Sequence, residues 1–170
     1  PTPEEFDAAF KPIMPMAPFE LVDYVGIDIA VHGLNYFAQV LSEDYKPSDA
    51  FEAYLKSGNL GKKTGKGFYD WSAGRPKIDL SKATTEYDPN HLIALQVNEA
   101  TKLLDEGVVD DPRQIDLAMV NGGGTPVGPF ALAEGIGYPV LLAKLEEIYN
   151  KFPLNVFKAT KTMKEGKIKV

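Results

Sequence analysis

The sequence contains no cysteine, which excludes disulfides and thiolate metal sites. Its only histidines are His32 and His91, too few for a histidine-built metal cluster. No apolar run approaches the ~20 residues that cross a bilayer, and no basic, apolar leader opens the chain. Positive charge is in deficit, with a formal net charge of −6, the wrong sign for a nucleic-acid footprint. Nucleic acid and membrane are therefore not expected partners. The want of cysteine fits a reducing compartment, and the expected location is cytoplasmic. An initiator methionine is also missing. The chain opens Pro1-Thr2-Pro3-Glu4-Glu5, with Thr2 suited to cap a helix, Pro3 to its first turn, and the glutamates to the positive end of its dipole. That opening reads as the interior of a longer polypeptide.

What is present is ordinary globular material. The 170 residues, 44% hydrophobic and 25% charged, suffice for one large or two small domains with a true core. Helical spacing dominates. A short helix is expected over 18–24, ending at Gly26. A second runs over 29–41 with Asp28 as its cap, and a third over 51–56, stopped at Gly58. The stretch 75–88 reads as an irregular linker. Helices then follow over 90–106, 112–120, 129–134 and 139–151, the second of these capped by Asp111. The end, 158–170, is basic and poor in apolar residues.

An internal repeat organises these helices. Pro18-Phe19-x-Leu21 with Gly26 recurs as Pro129-Phe130-x-Leu132 with Gly137, proline and glycine standing eight residues apart in both copies. Upstream, Phe6-Asp7-x-Ala9-Phe10 parallels Ile115-Asp116-x-Ala118-Met119, and the second copy is two residues longer, at its glycine run. The long helix over 90–106 has no counterpart in the first copy. The expected organisation is a first copy over 1–75 lacking its leading helix, a linker over 76–89, a second copy over 90–157 and a basic tail over 158–170.

No catalytic constellation stands out. Gly61-Lys62-Lys63-Thr64-Gly65-Lys66-Gly67 looks like a phosphate loop but departs from its pattern, because Leu60 replaces the first glycine and Gly67 the Ser or Thr. It also precedes an aromatic run instead of a helix. A tight turn with solvated lysines is the better reading. Gly122-Gly123-Gly124 lacks the preceding strand of a dinucleotide fingerprint and reads as a flexible connection. The helix starts at Pro18 and Pro129 are ordinary proline starts, although Met16-Ala17-Pro18 is unusually apolar for a loop. Neither histidine has a carboxylate orienter by sequence.

Two stretches carry a family resemblance. Met16-Ala17-Pro18-Phe19-Glu20-Leu21-Val22-Asp23-Tyr24-Val25-Gly26-Ile27-Asp28 and Leu60-Gly61-Lys62-Lys63-Thr64-Gly65-Lys66-Gly67-Phe68-Tyr69-Asp70-Trp71 resemble the two motifs of the C-terminal domain of 3-hydroxyacyl-CoA dehydrogenases. Asn98-Glu99-Ala100, Glu106-Gly107-Val108 and Gly128-Pro129-Phe130 resemble a second copy of the same domain. The tandem arrangement is similar to that of multifunctional fatty-acid oxidation proteins. Departures are Ala17, usually glycine, and the shortening before Pro15.

The resemblance implies an all-α fold, two tandem copies of a small helical domain like the C-terminal domain of 6-phosphogluconate dehydrogenase. It implies a role closing over the acyl-CoA substrate of an NAD-dependent L-3-hydroxyacyl-CoA dehydrogenase, with possible homodimer formation. NAD and the catalytic His–Glu pair would belong to a separate N-terminal Rossmann domain, so neither a catalytic nor a cofactor-binding residue is expected here. Asn90 matches the family's substrate-proximal asparagine by position, but in the copy that does not face the active site. The expected contribution is a wall lining the substrate, Pro15, Met16, Pro18 and Phe19. The rival readings are a stand-alone helical scaffold or acyl-CoA-binding module, and the helical domain of another Rossmann-linked dehydrogenase.

Overall fold

In a computed structural model that describes residues 1–170, Thr2 opens the first helix as its sequence requires. Its hydroxyl accepts from the Glu5 amide at 3.3 Å while the Glu5 carboxylate accepts from the Thr2 amide at 2.7 Å, a reciprocal pairing that satisfies two otherwise orphaned donors. The fold is all-α. The helices are α1 (Pro3–Phe10), α2 (Pro18–Val25), α3 (Ile27–Val40), α4 (Asp49–Ser57), α5 (Pro89–Asp105), α6 (Pro112–Gly122), α7 (Pro129–Ile136), α8 (Tyr138–Lys151) and α9 (Lys161–Glu165). They fall into two compact units, Pro1–Asp88 and Pro89–Val170.

The first unit is built on aromatic rings. Phe6 stacks on Phe10 at 4.5 Å between centroids, Phe19 meets Phe68 edge-on at 4.8 Å, and Tyr54 tilts against Phe68 at 4.6 Å. These are the offset and edge-to-face geometries that ring quadrupoles favour. The second unit is aliphatic. Ile93, Ala94 and Val97 of α5 pack with Leu141 and Leu145 of α8, Ala133 of α7 and Met163 of α9. Each fully buried side chain of the larger kind is worth about 1.5–3 kcal/mol against exposure.

Three local features differ from the sequence expectations. The cap of α3 is Gly26 at φ 121° and not Asp28, because the sharp α2–α3 corner needs a backbone conformation that only glycine adopts cheaply. Asp28 sits instead in the first turn of α3, paired with Lys63 at 2.5 Å, which holds its carboxyl below the usual carboxylate range. The segment read as a linker contains a short 3₁₀ turn at Leu80–Lys82 and returns to α1, with the Thr84 amide donating to the Glu5 carbonyl at 3.0 Å. The residues read as a basic tail fold back on their own unit. Thr160 caps α9, accepting from the Met163 amide at 2.9 Å, and Met163 is fully buried. Ala159 and Ile168 pack against the same core, and polar anchors flank them. Here Asn98, 1% exposed, donates to the Lys158 carbonyl at 2.9 Å and accepts from the Thr160 amide at 3.1 Å.

Candidate substrate-facing site

The repeat has a structural cause in a pair of buried aspartates. Asp7 is fully buried and accepts from the amides of Phe19 and Glu20, each at 2.8 Å. Asp116 does the same in the other unit, accepting from Phe130 and Ala131 at 2.9 Å. Each therefore caps the next helix across a loop, at the positive end of its dipole. The free amides that make a helix start an anion site are occupied by the chain's own carboxylates at both Pro18 and Pro129. Gly128 follows from the same packing, since a Cβ there would lie 2.2 Å from the Asp116 carboxyl carbon. Burial pushes the Asp7 carboxyl up, against the opposing pull of the Phe19 amide and the Tyr69 hydroxyl. Tyr69 donates to Asp7 at 2.7 Å, and burial next to that carboxylate raises the phenol in turn.

The lysine-rich loop is organised the same way. Asp23, on α2 and fully buried, accepts from the amides of Phe68 and Tyr69 and from the Trp71 indole, all at 2.9 Å. The loop's glycines are what let the backbone come that close. A Cβ on Gly67 would meet an Asp23 carboxylate oxygen at 2.2 Å, and one on Gly61, at φ 104°, would meet the Asp23 carbonyl at 2.2 Å. The amides immediately after the loop, of Phe68 and Tyr69, thus already hold a carboxylate. Lys62 lies over the Tyr24 ring at 4.3 Å, a cation–π contact, and Lys63 is engaged with Asp28.

Pro15–Phe19 is the loop these interactions frame. Pro15 is exposed, Met16 and Pro18 are half-buried, and Ala17 is fully buried. Phe19 is also half-buried, its ring set between Phe6 and Phe68. Behind the loop lies Glu20, a fully buried carboxylate. It accepts from the Ala17 amide at 3.1 Å and from Lys11 at 2.8 Å, and it pairs with Arg75. Burial works to raise the Glu20 carboxyl, but Arg75, Lys11 and the Ala17 amide together hold it lower than usual. The sequence pattern marked Glu20 only as part of a motif. Its burial and its two cationic partners depend on packing between segments 9 and 55 residues apart, which local periodicity does not report.

The remaining candidate groups lie elsewhere. His32 is exposed on α3. His91, 6% exposed, meets Glu147 at 2.9 Å between α5 and α8, an orienting carboxylate supplied by a residue 56 positions away. Asn90 is half-buried in the first turn of α5. No group of three or more His, Cys, Asp or Glu side chains is arranged to hold a metal ion. A shallow hollow of about 340 Å³ is lined by Ala133, Glu134, Tyr138 and Gly166 in the second unit and includes none of Pro15–Phe19. No helix is long and apolar enough to cross a membrane.

Two buried aspartate caps, a glycine loop folded on a third aspartate, and their order along the chain form a pattern specific enough to compare. The sequence model for the 3-hydroxyacyl-CoA dehydrogenase C-terminal domain matches twice, over residues 1–71 and 89–167. The chain belongs to that family. Among its relatives, the fatty acid oxidation complex subunit alpha of Vibrio campbellii is 32% identical over 164 residues. That of Shewanella putrefaciens is 32% identical over 155. The first match covers 88% of this chain but 23% of the relative, and the second 81% and 22%. The chain thus spans about a quarter of the curated relatives it matches. The crystal structure of Escherichia coli 3-hydroxybutyryl-CoA dehydrogenase shares the fold, with a TM-score of 0.78 at 20% identity over 97% of this chain and 54% of that one. In this dehydrogenase-domain family the tandem match falls within the two compact units.

Proposed function

We propose that residues 1–170 are the substrate-closing and association region of an NAD-dependent L-3-hydroxyacyl-CoA dehydrogenase that converts 3-hydroxyacyl-CoA to 3-oxoacyl-CoA in fatty acid β-oxidation. The observation that carries this reading is the double match of the dehydrogenase domain across both units. Pro15, Met16 and Pro18 form the acyl-CoA-facing wall, with Phe19 beneath them joining the wall to the aromatic core. The apolar character of a loop held open to solvent supports that assignment, because an acyl chain offers what water does not.

NAD is the cofactor of the whole enzyme and is not held by these residues. A dinucleotide pyrophosphate needs free amides at a glycine turn or a helix start. Here the amides that open α2 and α7 are taken by Asp7 and Asp116, and those of Phe68 and Tyr69, just after the glycine loop, by Asp23. In this reading the cofactor and the chemical groups that move the hydride belong to a Rossmann partner domain of the same protein, and the contribution of residues 1–170 is shape. The bacterial relatives support a cytoplasmic setting.

Association is supported by α3. In the second unit Leu141 and Leu145 of α8 pack with Ile93, Ala94 and Val97 of α5, and Leu141, Leu145 and Ile148 are 0%, 0% and 6% exposed. The corresponding residues of the first unit are Ala30, Leu34 and Phe37, and Phe37 is 43% exposed. Nothing in the first unit corresponds to α5, so this face is suited to a helix from outside residues 1–170. Beside it, Ile29, Tyr36 and Val40 form a second exposed apolar stripe where α8 has Val140, Glu147 and Lys151, suited to a homodimer contact. The test is NADH oxidation by the full-length protein with acetoacetyl-CoA. Turnover is expected from the full-length protein and none from residues 1–170 alone. A full-length protein that binds acyl-CoA but never consumes NADH would refute the reading.

A further inference from the structure

We infer that Lys11, Glu20 and Arg75 form a clamp that positions the substrate-facing loop of the first copy, a device the second copy lacks. The inference rests on the reading of Pro15–Phe19 as an acyl-CoA wall. Lys11 donates to both the Pro15 carbonyl at 2.9 Å and Glu20 at 2.8 Å. Arg75 reaches the same two groups from the far end of the glycine motif, bonding the Pro15 carbonyl and Glu20. Glu20 also accepts from the Ala17 amide at 3.1 Å. The Pro15 carbonyl is thereby tied to the buried carboxylate through two cations, and the Ala17 amide, on the other side of Met16, bonds it directly. Glu20 itself is fully buried, while the side chains of Lys11 and Arg75 are 27% and 51% exposed.

The internal repeat supplies the comparison. Aligned on the prolines at 18 and 129, Glu20 becomes Ala131 and Pro15 becomes Pro126. Aligned on the aspartates at 7 and 116, Lys11 becomes Val120. The second copy has no ion pair at its loop and carries Gly122-Gly123-Gly124 and two extra residues instead. The fold evidently stands without the clamp, since Asp116 caps α7 as Asp7 caps α2. A buried ion pair is weak evidence for stability in itself. Charge-assisted, forked bonds from Arg75 do give geometric definition, and definition of a binding wall is what a substrate-facing loop needs and a purely structural copy does not. Lys11, Glu20 and Arg75 are positioning residues: they act on substrate through Met16 and Pro18.

The experiment compares Arg75→Met, Lys11→Met and Arg75→Lys in the full-length protein. Arg75 and Lys11 are partly exposed, so both Met variants are expected to fold. The prediction is faster exchange of the Ala17 amide and a rise of about tenfold in KM for acetoacetyl-CoA with kcat nearly unchanged, the pattern of a lost binding geometry. Arg75→Lys, which keeps charge but not the fork, is expected to recover KM in part. Faster exchange with an unchanged KM would overturn the proposal and leave the clamp a structural tie. Unchanged exchange would overturn it as well. Absence of any dehydrogenase turnover in the unmodified full-length protein would instead overturn the function proposed above, so the two failures are distinguishable.

Discussion

Replacing Asp23 with alanine is the sharpest test of how the first unit is held together. The carboxylate is fully buried and receives three donors at 2.9 Å from residues 45, 46 and 48 positions away. Removing it takes the acceptor from the buried Trp71 indole and from the part-buried amides of Phe68 and Tyr69. Each unsatisfied donor costs ~1–3 kcal/mol, and bonds to a charged acceptor are worth ~1.5–3 kcal/mol. Relief from burying the charge returns part of that. The net destabilisation is therefore about 4 kcal/mol, and for a unit of this size it lowers Tm by ~15 °C or more. Asp23→Asn keeps the shape and one acceptor and should cost about half as much. The assay is urea unfolding followed by fluorescence of Trp71, the single tryptophan of the chain, whose indole is itself one of the three donors. Emission of the folded variant should also shift as the indole loses its partner. A change in unfolding free energy below ~1 kcal/mol would refute the claim that the glycine loop is built around this carboxylate.

Other outcomes follow from the same contacts. Asp7→Ala and Asp116→Ala should each cost at least ~1–2 kcal/mol as lost helix caps, with Asp7→Ala the larger because it also removes the 2.7 Å bond from the Tyr69 hydroxyl and leaves that group the longer 3.3 Å bond to the Pro3 carbonyl; equal or negligible losses in urea titrations would contradict this. Gly67→Ala should destabilise by about 2 kcal/mol or more through overpacking against Asp23, whereas Gly33→Ala, whose Cβ meets nothing within 4 Å, should stabilise α3 by ~1 kcal/mol. Glu20 titrates lower in the folded chain than its ordinary value of 4.5. It therefore contributes stability that is present above that value and lost as the pH falls through the folded one. The stability gap between wild type and Glu20→Gln should then be open at pH 7 and close on acidification, and a gap independent of pH would contradict the pairing.

Much of this architecture is legible in the chain before folding. Proline starts, glycine stops and apolar spacing mark the helices, and the recurrence of Phe6-Asp7 as Ile115-Asp116 ahead of Pro-Phe marks the repeat. The glycine loop is readable as a turn because its spacing misses the phosphate-loop pattern. The role of the aspartates is not readable, since Asp23 meets partners more than forty residues away and a local pattern carries no such distance. Gly26 displaces Asp28 as the α3 cap for a related reason. The corner demands a positive φ, and the Lys63 that engages Asp28 is remote in sequence. The closing segment reads as a charged tail because charge is counted per residue, whereas docking depends on Met163 and on Asn98, which holds the backbone of Lys158 and Thr160. Of the proposed wall, Pro15 is exposed and Met16, Pro18 and Phe19 are half-buried, Phe19 with its ring against Phe6 and Phe68. Aromatic identity alone does not report that packing.

The most direct test of the central claim is the acetoacetyl-CoA-dependent oxidation of NADH, measured side by side on the full-length protein and on residues 1–170. The account predicts turnover in the first and neither turnover nor NADH binding in the second. Tight NADH binding by residues 1–170, or acyl-CoA binding without NADH consumption by the full-length protein, would contradict it.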